Sequence, residues 1–145
     1  EPIVFSTSAS NIMDAALTEV TSATVGTATL SDGYGQPRTE PVTALPGMPV
    51  MKYGRTTGFT SAQVDAVAVI ANVGYDSGTA RFVEQIIIKP GTFSAGGDSG
   101  SLIVVDGGVD DRRPVGLLFA GSNSITIANP IAPVLARFGA TIEGE

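Results

Sequence analysis

The stretch from Val64 to Lys89 constrains the fold most. Val64, Ala66, Ala68 and Ile70 alternate with Asp65, Val67, Val69 and Ala71, and after the turn residues Gly74 to Gly78 a second β-prone run, Ala80 to Lys89, extends to Pro90-Gly91. A period of two with apolar residues on both faces describes an extended chain at least partly buried on either side. Shorter apolar runs follow the same logic at Val50 to Tyr53, Leu102 to Val105, Val115 to Ala120 and Ser124 to Ala128, separated by turn formers such as Pro46-Gly47 and Met48-Pro49. The 18 glycines and 9 prolines are scattered along the chain, as many tight turns require. Ile131, Val134, Leu135 and Phe138 repeat at i, i+3, i+4 and i+7 between Pro130 and Gly139, so the spacing predicts a closing helix with Pro130 in its first turn. Six to eight strands and one terminal helix make an all-β barrel or sandwich.

The first third of the chain is less regular. Ile3 to Ser6 is β-prone, Asn11 to Val20 leans towards a helical turn, and Thr21 to Val42 reads as a connection holding one short strand at Gly26 to Leu30. With 145 residues the chain is one domain's worth of protein, and its formal net charge of −6 excludes a nucleic-acid backbone or an anionic membrane as the natural partner. No apolar run approaches the ~18 residues of a membrane helix. Cysteine is absent, which removes disulfides and thiolate metal sites, and so is histidine, the commonest general base at neutral pH. The acidic groups Asp14 with Glu19, and Asp106 with Asp110 and Asp111, lack the spacing of a calcium loop, so neither metal nor cofactor is expected. Asp110-Asp111-Arg112-Arg113 reads as a solvated loop, and Gly54-Arg55-Thr56-Thr57-Gly58 lacks the ending of a phosphate loop.

One segment carries chemistry: Ala95-Gly96-Gly97-Asp98-Ser99-Gly100, followed by the apolar strand Ser101 to Val105. A serine hydroxyl attacks a carbonyl only when a base takes its proton and donors receive the resulting oxyanion. Small residues around Ser99 let consecutive amides converge, the N–H groups of Gly97 and Ser99 forming the natural pair. All five residues are also turn formers, and a plain turn would use the same composition. The distal Pro114-Val115-Gly116-Leu117-Leu118-Phe119-Ala120-Gly121-Ser122 favours the first reading.

With these segments, and with Tyr53-Gly54-Arg55-Thr56-Thr57-Gly58, the sequence resembles the chymotrypsin-like (trypsin-fold) serine proteases, most of all a disulfide-free bacterial branch. The resemblance runs from Val50 to Phe138 and implies a trypsin-like antiparallel barrel in residues 46–145, with residues 1–45 a remnant of a first barrel and the connection to it. It implies Ser99 as nucleophile, Gly97 as an oxyanion donor, and Asp14 in Met13-Asp14-Ala15-Ala16 as the acid that orients a histidine. Phe119, Ala120 and Gly121 would bind substrate backbone, and Phe93 would form the base of a pocket for an uncharged side chain. Because Glu1 is unlike the freed terminus that pairs with the acid before the serine in many relatives, Asp98 should instead find a local donor or a backbone N–H.

The family's histidine should precede Asp14, yet none does. The chain is therefore expected to be the C-terminal piece of a serine endopeptidase, inactive alone and competent when an upstream segment supplies the histidine. Its partners would be a peptide or protein substrate, that upstream segment, and a second copy of itself through unpaired strand edges. The competing expectations are a non-catalytic peptide-binding module built on the same barrel, or a protein whose only turnover is its own maturation. The sequence assigns no compartment, a secreted or cell-envelope location being favoured.

Overall fold

The computed structural model describes residues 2–21 and 25–145. Six antiparallel strands close into a barrel: β1 (Pro49–Gly54), β2 (Gly58–Tyr75), β3 (Gly78–Lys89), β4 (Leu102–Val105), β5 (Pro114–Gly121) and β6 (Thr126–Pro130). Around the barrel the order is β1-β2-β3-β6-β5-β4, and β4 pairs back onto β1 through Met51 and Val104. Val50, Val64, Ile86, Ile88, Ile103 and Val115 fill its interior, each at most 2% exposed. This is the all-β, trypsin-like barrel with a C-terminal helix that the sequence implies. Closure leaves no free sheet edge among these strands.

The β2–β3 hairpin is longer than its apolar core required, because Gly58 to Thr60 and Asn72 to Tyr75 also find partners, Tyr53 pairing Phe59 and Tyr75 pairing Gly78. Three register shifts between Val64 and Ala71 bend it, and Ala68 and Glu84 adopt left-handed φ values of 54° and 60° within that stretch. Beyond Glu84 the alternation stops and Gln85 to Ile88 are all buried. There the inner face meets the core, while Gln85 Nε2 on the other face donates to the Ile12 carbonyl at 3.0 Å. Helix α1 (Ile131–Phe138) ends on Gly139 at φ 60°, with Pro130 standing just before the helix as its cap rather than inside the first turn.

The region before residue 46 departs from the expectations. Neither Ile3 to Ser6 nor Gly26 to Leu30 forms a strand, and Asn11 to Val20 is irregular instead of helical, its backbone bridging the sheet where Asn11 meets Phe82. Helix propensity loses there to specific side-chain anchors. Asn11 Nδ2 donates to the carbonyls of Val4 and Arg81, and Arg81 Nη1 donates to the Ala9 carbonyl at 2.7 Å. The loop at Asp110 to Arg113 is half-buried, not merely solvated: Arg113 grips the carbonyls of Glu40 and Pro41, and Arg112 grips that of Gln36. These bonds strap the connection across one end of the barrel.

Candidate functional site

Ser99 stands at the exposed mouth of a cleft of about 650 Å³ between the loop Gly91 to Gly96 and the end of β5. Its Oγ donates weakly to the Phe119 carbonyl at 3.3 Å, and its own amide and that of Gly97 have no acceptor among the described residues. Both residues are exposed, so these amides are open to an incoming group, and a pair of them beside a hydroxyl is a ready receptor for a negative oxygen. Gly97 is required by geometry: its φ is +100°, and a Cβ there would come within 2.5 Å of both Arg55 Nη2 and Thr56 Oγ1.

What fixes this turn is Asp98, which is 0% exposed. Its Oδ1 accepts from the amides of Thr56 at 2.7 Å and Thr57 at 3.2 Å, and its Oδ2 accepts from Thr57 Oγ1 at 2.7 Å and the Ala95 amide at 3.0 Å. Burial alone would push the carboxyl up, but the Thr57 hydroxyl and the three amides overcome it and hold Asp98 well below the usual carboxylate range. The expected local donors are thus present, three from the tight turn joining β1 to β2 and one from Ala95. Gly54 leaves the space, since a Cβ there would collide with the Asp98 carboxylate. Glu1 lies outside the described residues.

One partner was not anticipated. Lys52 is also 0% exposed, with its Nζ 3.7 Å from Asp98 Oδ2, within hydrogen-bond reach of Thr57 Oγ1 and the Gly58 carbonyl, and 5.5 Å from the centre of the Phe93 ring. Burial draws the Lys52 ammonium below the ordinary lysine range, and the attraction of Asp98 opposes that shift. The sequence did carry a signal. Lys52 shares the inward face of β1 with Val50, and a lysine at a core position demands a buried acid.

Phe93 lies in the core, 1% exposed, next to Lys52, and the residues lining the cleft do not include it. A short 3-10 turn, Gly91–Phe93, directs it inward, and Thr60 Oγ1 fixes its carbonyl at 2.8 Å. The cleft wall is instead Thr92, Ser94, Ala95 and Gly96 on one side and Ala120, Gly121, Ser122 and Asn123 on the other, with no charged residue among them. Ser94 Oγ lies 2.6 Å from Thr126 Oγ1, a hydroxyl pair at that wall. Ala120 and Gly121 face the cleft, whereas the Phe119 ring turns away to stack on Phe82 at 5.0 Å and only its carbonyl meets Ser99.

Asp14 sits on an extended segment locked to β6 by a two-way bond with the buried Asn129: the Asp14 amide donates to Asn129 Oδ1 at 3.0 Å, and Asn129 Nδ2 donates to the Asp14 carbonyl at 2.9 Å. Asn129 Nδ2 also reaches the Leu117 carbonyl. Leu117 and Phe119 are two residues apart on β5, roughly 6–7 Å along a strand. Asp14 and Ser99 therefore approach the same short length of β5, Asp14 through Asn129 and Ser99 directly. The Asp14 carboxylate accepts from the Tyr75 hydroxyl at 2.6 Å, and burial, then this bond, raises Tyr75 above the ordinary tyrosine range. Among the described residues no group of three or more acids gathers as a metal site.

The Nal1 C-terminal domain family model matches residues 8–128, and the chain belongs to that family. Protein NARROW LEAF 1 of Oryza sativa subsp. japonica is 33% identical over 85 residues, which are 57% of this chain and 14% of that protein. Thermobifida fusca Protease A superposes with a TM-score of 0.65 at 25% identity, over 86% of this chain and 66% of its own. A glutamic acid specific serine protease that uses a histidine triad in substrate binding superposes with a TM-score of 0.59 at 27% identity, over 79% of this chain and 58% of its own. The chain thus spans a small part of its curated relative and under two thirds of these solved ones. The likeness to chymotrypsin-like proteases is a likeness to their C-terminal barrel, while the family matched by the sequence is the Nal1 C-terminal domain.

Proposed function

As a member of the Nal1 C-terminal domain family, this chain is, we propose, the nucleophile-bearing part of a serine peptidase site. The observation that carries the reading is the turn at Gly97 to Ser99: an exposed hydroxyl, two amides without acceptors, and a buried carboxylate between them that fixes their direction. In the proposed reaction an imidazole from polypeptide beyond these residues takes the Ser99 proton as Oγ attacks a peptide carbonyl. The Gly97 and Ser99 amides receive the oxyanion, and the same imidazole returns the proton to the leaving amine. Asp14 orients that imidazole. The uncharged, hydroxyl-lined cleft supports a neutral side chain next to the cleaved bond, because a charged one would be desolvated without a partner.

A second reading rests on the sequence itself. With 0 histidines the isolated chain has a cleft and oxyanion donors but no base, which suits a module that holds peptides without cutting them. Fluorophosphonate labelling of the longer polypeptide that carries this domain, beside its Ser99→Ala variant and the isolated chain, separates the two. The peptidase reading expects labelling of the parent that is lost in Ser99→Ala. A folded parent that takes no label leaves the binding module.

A further inference from the structure

Asp14 is held by remarkably few groups for a residue asked to aim an imidazole. Its main chain is tied to Asn129, yet its carboxylate has one partner among the described residues, the Tyr75 hydroxyl at 2.6 Å from Oδ2. Oδ1 has no donor among the described residues. A carboxylate on an extended segment rotates about two side-chain bonds unless something fixes it, and a single short hydrogen bond to one oxygen both fixes it and leaves the other free.

Tyr75 is itself fixed. It is the last residue of β2, at the tip of the long hairpin, and its ring lies between Phe5, edge-on at 5.7 Å, and Phe82 at 6.4 Å. Phe82, 0% exposed, stacks in turn on Phe119 at 5.0 Å, and the Phe119 carbonyl is the acceptor of the Ser99 hydroxyl. A continuous row of rings therefore runs from the group that grips Asp14 to the strand that meets Ser99. The first contact is edge-on and the other two are tilted at 46° and 54°, all at spacings where aromatic rings attract one another.

From this juxtaposition we infer that Tyr75 is a positioning residue for the proposed peptidase site: its hydroxyl clamps Asp14 Oδ2 so that Oδ1 is presented to the incoming imidazole, and the Phe82–Phe119 contact keeps that clamp in register with Ser99. The inference rests on the peptidase reading of Ser99. It also explains the length of the β2–β3 hairpin, whose outer end adds little to the barrel core but delivers Tyr75 to Asp14.

The test uses the longer polypeptide and Tyr75→Phe, which keeps the ring and removes only the donor. The expected result is a fall of about tenfold in kcat and in fluorophosphonate labelling, with KM unchanged, the size of one hydrogen bond to a charged group. In an Asp14→Asn background the same change should have no further effect, which a merely structural role would not produce. An independent arm follows the chemical shift of the Asp14 carboxyl carbon by NMR in the isolated chain, which loss of the Tyr75 donor should move. Labelling at the wild-type rate in Tyr75→Phe, or an equal loss with and without Asp14, overturns the inference while leaving Ser99 as nucleophile. A wild-type parent that takes no label overturns both. Should Tyr75→Phe fail to fold, 3-fluorotyrosine at position 75 strengthens the donor with little change in packing, and an unchanged Asp14 carboxyl-carbon chemical shift then overturns the clamp.

Discussion

Two carboxylates serve the proposed site, and the molecule holds them in opposite ways. Asp98 is sealed inside the barrel end, with four hydrogen bonds and a buried lysine around it. Asp14 is half-buried on an extended arm, its main chain tied to one asparagine and its carboxylate to one tyrosine. The barrel therefore builds the proposed oxyanion turn by itself, because every donor to Asp98 among the described residues comes from residues 52–57 and 95. The Asp14 end is assembled from side chains reaching across to a segment without regular structure. Preorganisation is finished at the nucleophile and provisional at the acid.

Replacing the two acids tests that contrast most severely. Asp98→Ala strands Lys52 as an unpaired buried charge and orphans the Thr56, Thr57 and Ala95 amides, so urea unfolding should show a loss of about 3–5 kcal/mol. Asp14→Ala removes one partly solvated bond and should cost about 1 kcal/mol. Equal losses would break the comparison. Acid titration sharpens it. Asp98 has its folded carboxyl held below the unfolded value of about 3.9, so its contribution is complete above that pH and drains away as pH falls further. Stability should drop below about pH 4 in the wild type, and much less steeply in Asp98→Asn.

The next effect is smaller and local. Asn129→Ala frees the Asp14 amide and carbonyl together, and because Asn129 is 0% exposed the loss should be about 1–2 kcal/mol. Hydrogen exchange should show the Asp14 amide opening ahead of the barrel amides. Uniform acceleration across β1 to β6 would mean that the arm and the barrel unfold as one unit, against the contrast drawn here.

The same division governs what the sequence revealed. In the barrel, each strand announced itself by apolar alternation and by Gly or Pro at its ends, and the Gly97-Asp98-Ser99-Gly100 turn was readable because few residue types tolerate that backbone. The arm was not readable by those means. Asn11 to Val20 has the composition of a helix, and what keeps it extended is Asn11 on Val4 and Arg81, Gln85 on Ile12 and Asn129 on Asp14, contacts from 7 to 115 residues apart that no local propensity encodes. Lys52 lay between these cases: its core-facing place on β1 was visible, but its partner 46 positions later depends on closure of the barrel. Phe93, six residues before Ser99, is 1% exposed on the short turn Gly91–Phe93, a burial that resemblance alone does not convey.

The smallest expected effect on stability tests the arm's outer face. Leu17 and Val20 are 66% and 55% exposed, and Val4, Phe5 and Ile12 beside them on the arm are 44% exposed or more. Apolar groups so placed gain nothing for the fold in isolation, so Leu17→Ser with Val20→Ser should alter unfolding of the isolated chain by less than about 0.5 kcal/mol. Their exposure does offer a surface to another body, either the upstream segment proposed to bring the imidazole or a second copy of this chain. Light scattering of the isolated chain should then show association that the double substitution reduces at unchanged stability. A monomer before and after substitution would count against self-association. A loss of stability matching that of Asn129→Ala would mean that the arm is integrated with the barrel after all, and the provisional character assigned to the Asp14 end would be withdrawn.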